Sequence, residues 1–134
     1  MKQLICLGDS LTDCDRMFTP DGLGYGYVRQ LNDMLLKKTA WKTVNRGVNG
    51  FTLNRVLENL SADCLKRDPD AVTLLVGIND ISMWMCNTSV SVFYQLQKFR
   101  LNLLKLFRRL TQYTSASLYL LEPFVFPRPA EYYN

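Results

Sequence analysis

Gln3-Leu4-Ile5-Cys6-Leu7-Gly8-Asp9-Ser10-Leu11 opens with an unbroken apolar run that stops at a glycine and an acid. A strand apolar on both faces has to be buried on both faces, which is the pattern of a parallel sheet and not of a half-exposed hairpin. The run therefore predicts a buried strand over residues 3–8. It also places Ser10 on the turn that follows.

Moving outward, residues 71–76 repeat the pattern and stop at Gly77. Thr43 and Val44 favour a shorter strand over 41–45. A fourth strand, 118–121, ends before Pro123. Between the strands the period changes. Tyr27, Val28, Leu31, Met34 and Leu35 fall at helical spacing within residues 25–37. Leu53, Val56, Leu57, Leu60 and Cys64 mark one helix face behind Thr52, a plausible N-cap. Asp68-Pro69-Asp70 breaks the chain. Residues 83–88 show no period and read as a loop. A long helix follows, with Val92, Phe93, Leu96, Phe99, Leu103, Leu106, Phe107 and Leu110 on its buried side.

Strands alternating with helices predict an α/β fold: a three-layer α/β/α sandwich around a parallel sheet. Such sheets bind ligands beyond the carboxyl ends of their strands. The unusual residues here all lie just after strands: Gly8-Asp9-Ser10, Asn45 to Gly50, and Gly77-Ile78-Asn79-Asp80.

Bulk properties narrow the class. The 134 residues suit a single domain spanning 1–134, and a chain this long buries roughly two-thirds of its unfolded surface. With 48% hydrophobic and 21% charged residues, disorder is excluded. Net charge is +4, and much of the excess is Lys98, Arg100, Lys105, Arg108 and Arg109 on one helix. No aromatics interleave them as a base platform, so they read as a solvated face, and no nucleic-acid partner is expected. Cys6, Cys14, Cys64 and Cys86 form no C-x-x-C pair. Their spacing supports neither a disulfide framework nor, without a histidine, a zinc site. No cofactor and no metal are expected. The apolar run near the N-terminus is too short for a signal-peptide core, and no stretch approaches a membrane span, so a cytoplasmic location is expected.

Each candidate residue has an ordinary use beside a chemical one. Ser10 on a tight turn is a nucleophile or a helix cap. Asn79 is a side-chain amide donor or an Asx-turn residue. A glycine before the Thr52 helix start offers a free backbone N–H or merely tolerates positive φ.

Taken together, GDSL after a first strand, N-x-x-x-x-G after a second and G-x-N-D after a third resemble the blocks of the SGNH (GDSL) hydrolase family. The resemblance runs from Leu4 to about Phe124. It implies a flavodoxin-like SGNH-hydrolase fold and a serine esterase acting on small-molecule carboxylic esters. It implies Ser10 as nucleophile, with the Ser10 N–H, the Gly50 N–H and the Asn79 side chain as oxyanion donors. It implies supporting roles for Asp9 and Asp80, bonding loop backbone and not moving protons. Met83, Trp84 and Met85 follow Asn79 and are expected to line an acyl pocket or finish the core.

The family completes its site with an Asp-x-x-His segment near the C-terminus, whereas this sequence contains no histidine. A last strand and helix, roughly 30 residues by the size of a strand–helix–strand unit, are expected to be missing. The domain is then incomplete at its C-terminus, and the chain as given is expected to have little or no activity. The alternative is a non-catalytic binding protein of the same fold. The uncharged fourth strand would be an exposed edge, open to self-association or to cover by the aromatic tail, 124–134.

Overall fold

A computed structural model describes residues 1–38 and 40–123. Its elements in chain order are β1 (Lys2–Gly8), α1 (Ser10–Asp13), α2 (Tyr27–Leu36), β2 (Trp41–Asn45), α3 (Leu53–Asp63), β3 (Ala71–Leu75), α4 (Ile78–Cys86), α5 (Val92–Tyr113) and β4 (Ser117–Leu120). Single 3-10 turns at Arg16–Phe18 and Leu65–Arg67 join some of them.

The four strands form one sheet in the order β2-β1-β3-β4, every pair parallel. The fold is α/β, as the alternation of periods predicts. Side chains alternate across the sheet as the pleat requires. Ile5, Leu7, Val72 and Leu74 point to one face and pack with Val56, Leu57 and Leu60 of α3 and Leu106 and Leu110 of α5. Leu4, Cys6 and Ala71 point to the other and pack with Val28 of α2. Each fully buried aliphatic side chain contributes about 1.5–3 kcal/mol. Three layers result, and β1 at the centre is covered on both sides.

The structure differs from the sequence expectation in two places. Residues 83–86 are the end of helix α4 and not loop. Ile81, Met83, Trp84 and Met85 put apolar groups on every side of that helix, so it shows no period. In α5 only Leu106 and Leu110 are buried, while Val92, Phe93 and Leu96 are half or more exposed. The amphipathic stripe is present, but its first half extends beyond the sheet it would pack on.

β4 is an edge strand, with Tyr119 and Leu120 exposed. The tail expected to cover it, 124–134, lies outside the described residues. All four thiols are free. Among the described residues no helix is long and apolar enough to cross a membrane, and no cluster of side chains could hold a metal ion.

Candidate active site

β1, β2 and β3 end on the same rim of the sheet, and three loops leave from there. The first carries Ser10. The helix cap at this turn is Asp9, whose Oδ1 accepts from the Leu11 N–H at 3.0 Å. Ser10 is thus the first residue of α1, exposed, and its hydroxyl has no hydrogen-bond partner among the described residues. Its N–H is also one of those a helix start leaves without an intrahelical partner. The capping use of Ser10 is therefore taken by its neighbour.

The second loop, from Asn45 to Gly50, is fastened from several sides. Asn45 is buried and works as a hub. Its Nδ2 donates to the carbonyls of Thr12 (2.6 Å) and Leu23 (2.9 Å), and its Oδ1 accepts from the Gly47 N–H at 2.9 Å. Arg16 Nε donates to the Gly47 carbonyl at 2.6 Å, and Asp13 Oδ2 accepts from the Asn49 N–H at 3.2 Å. Val48 N–H donates to the Gly8 carbonyl at 3.1 Å. Gly47 lies so close to α1 that a Cβ there would come within 2.4 Å of the Asp13 nitrogen. Gly50 differs: it is exposed, has φ +77°, and a Cβ would meet nothing within 4 Å. It needs glycine for its backbone angle alone. Its N–H has no partner among the described residues.

The third loop opens α4. Asn79 does not make a local Asx-turn. Its Nδ2 donates across 28 residues to the Phe51 carbonyl at 3.1 Å, which ties it to the residue after Gly50. One hydrogen of the carboxamide is used there, leaving the second for another acceptor. The Asp80 carboxylate accepts from the Leu53 N–H at 3.1 Å and so caps α3 from a different helix. Thr52 caps the same helix through the Arg55 N–H.

Asp9 and Asp80 are both buried. Burial pushes each carboxyl above the ordinary carboxylate range, opposed by the backbone N–H groups that each accepts from, and the Asp9 charge raises Asp80 further. Both acids accept from backbone N–H groups at helix starts, Asp9 at α1 and Asp80 at α3, whereas loop backbone is the sequence expectation.

The three residues after Asn79 expected to line a pocket separate here. Met83 and Trp84 border a cleft between α3, α4 and α5, and Trp84 packs edge-to-face on Phe99 with centroids 5.8 Å apart. Met85 is exposed and borders no described cavity. Asn45, Asp13 and Arg16 link the Ser10 helix to the Gly50 loop; the sequence marks Asn45 only as part of the N-x-x-x-x-G block and does not show this tying use. Their partners are backbone atoms, up to 36 residues away, which leave no trace in composition or period.

The family described as GDSL-like lipase/acylhydrolase matches the chain over residues 6–134. An acetylxylan esterase from Geobacillus stearothermophilus is 33% identical over 89 residues, covering 60% of this chain and 40% of its own length. A solved structure described as a GDSL-like lipase, from Parabacteroides merdae, has TM-score 0.76 at 28% identity and covers 92% of this chain. A variant of a Geobacillus stearothermophilus acetyl xylan esterase has TM-score 0.77 at 25% identity, also over 92%. The chain spans 60% of each of those two structures. Three further structures of that esterase are described as catalytic mutants, each with one alanine in place of a serine, an aspartate or a histidine, the last two three positions apart.

Proposed function

The chain belongs to the GDSL-like lipase/acylhydrolase family, and from that premise we propose that its Ser10 is the nucleophile of a carboxylic-ester hydrolase. The observation that carries the reading is the unpartnered Ser10 hydroxyl on a turn whose helix is capped by Asp9. In this mechanism Ser10 Oγ attacks the ester carbonyl. The carbonyl oxygen becomes an oxyanion, stabilised by the Ser10 N–H, the Gly50 N–H and the free hydrogen of the Asn79 carboxamide. Losing one such donor costs about 3–4 kcal/mol in transition-state stabilisation. Asp9 and Asp80 keep the two loops in place. The acetylxylan esterase relative makes acetyl esters of carbohydrates the first substrates to try.

Proton removal from Ser10 is the weak step. The sequence holds no histidine, and a carboxylate with an ordinary pKa near 4 is a poor base for a serine hydroxyl. The 134 residues as given should retain only the oxyanion contribution, roughly 10³–10⁴-fold over water. A second reading is a non-catalytic binding protein of the same fold.

A fluorophosphonate probe followed by peptide mapping tests the nucleophile. With only the oxyanion contribution in place, slow adduct formation confined to Ser10, and slower still in Asn79→Ala, is expected. Adducts scattered over the surface serines would refute the assignment. Rapid turnover of p-nitrophenyl acetate that is abolished in Ser10→Ala would instead show that a base is present after all.

A further inference from the structure

A cleft of about 540 Å³ runs between α3 and α5 beneath α4, and its upper end reaches Thr52 and Asp80. Asn79, the second residue of α4, directly precedes Asp80, and Gly50 lies two residues before Thr52. We propose that this cleft binds the leaving-group side of the ester, and that the group it fits is an uncharged, hydroxyl-rich moiety such as a sugar. This rests on the esterase reading above.

The lining chemistry selects the ligand class. Four carboxamides border the cleft: Asn54, Asn87, Gln95 and Asn102. A carboxamide carries both donors and an acceptor, which matches hydroxyls that also do both, although the Asn87 Oδ1 already accepts from the Ser89 hydroxyl at 2.6 Å. Those of Gln95 and Asn102 have no hydrogen-bond partner among the described residues, while Asn54 Nδ2 donates to Glu58 Oε1 at 2.9 Å. The charges largely cancel. Arg55 Nη1 pairs with Glu58 Oε2 at 3.2 Å, which leaves Lys98 facing the buried Asp80 acid across the same space. With Arg55 and Lys98 set against Glu58 and Asp80, the lining offers a strongly anionic ligand no net charge complement. An acyl chain would have to strip water from four amides without replacing their hydrogen bonds. Trp84, held edge-to-face by Phe99, supplies the apolar wall that ligand sites combine with a few polar groups. The volume lies within the range of small-molecule sites.

The chain has two tryptophans, Trp41 and Trp84. Trp41 borders a different groove, on the α2 side of the sheet, so Trp41→Phe leaves Trp84 as the sole reporter. Titration of that variant with neutral trisaccharides (xylotriose, cellotriose, maltotriose) should give a saturable emission change at millimolar concentration. Calorimetry on the unaltered chain measures the same affinity without the substitution. The double variant Gln95→Ala/Asn102→Ala should weaken binding about tenfold, two neutral hydrogen bonds being lost. No saturable binding of any of the three sugars, or equal binding by the double variant, overturns the inference. So does tighter binding of octanoate or inositol hexakisphosphate in the same titration. The fluorophosphonate experiment is independent: Ser10 labelling without sugar binding sinks the cleft alone, and sugar binding without labelling sinks the nucleophile alone.

Discussion

Replacing Asn45 by alanine should be among the most damaging single changes this fold can suffer near its rim. The side chain is buried and satisfies the Thr12 carbonyl, the Leu23 carbonyl and the Gly47 N–H. Alanine removes three hydrogen bonds at once, each worth about 1 kcal/mol net. It also leaves the Thr12 and Leu23 carbonyls and the Gly47 N–H inside the protein, where each group without a partner costs about 1–3 kcal/mol. Water entering the gap recovers part of this, so the net loss should be about 3–4 kcal/mol, a large share of the ~5–15 kcal/mol that holds a typical domain folded. Asn45→Asp should be no better. It keeps the shape but turns an acceptor towards two carbonyl oxygens. Urea unfolding followed by far-ultraviolet circular dichroism measures both variants. Fluorophosphonate labelling of Ser10 should fall alongside, because Asn45 ties the Ser10 helix to the Gly50 loop. An Asn45→Ala chain within 1 kcal/mol of the parent, or an Asp variant as stable as the parent, would refute the hub assignment.

Two other outcomes follow from the same rim. Gly47→Ala should destabilise by about 3 kcal/mol or more, the upper end of overpacking costs, because its Cβ would lie 2.4 Å from α1 backbone that has to move. Gly50→Ala should lose only about 1–2 kcal/mol, from its left-handed φ in open space; chemical denaturation that ranks the two the other way contradicts the packing described. Asp80 gives a pH signature. Its folded-state carboxyl is raised by burial and by the Asp9 charge, so its contribution to stability is fully present below the unfolded value near pH 4 and is lost as pH rises through the folded value. Asp80→Asn keeps an acceptor for the Leu53 N–H but does not titrate, so it should lose less stability than the parent between pH 4 and 7. Parallel pH–stability curves for the two chains would rule this out.

Much of the scaffold could be read before any coordinates. The strand over 41–45 matches β2, and the helix starting after Thr52 matches α3, because a sheet and an N-cap impose short-range rules on residue choice. What could not be read depends on partners far along the chain. The period of α5 shows which face is apolar but not that Val92, Phe93 and Leu96 have nothing to cover them. The end of α4 lacks a period because apolar side chains surround it. At the rim, Ser10, Gly50 and Asn79 stand out by motif. The tying roles of Asn45, Asp13 and Arg16 appear only when the fold brings distant backbone to them.

The all-parallel sheet has a consequence for how the molecule forms. β1 sits at its centre, yet Ile5 is paired with Val44 and Val72, 39 and 67 positions later. A ribosome releases this buried strand well before its two partners. Until β3 emerges, Leu4 to Leu7 lack the neighbour that closes over them. Such long-range pairing slows folding and prolongs exposure of sticky segments, so refolding yield should fall steeply with protein concentration, and a chaperone that holds the first eight residues should help more than one acting on α5.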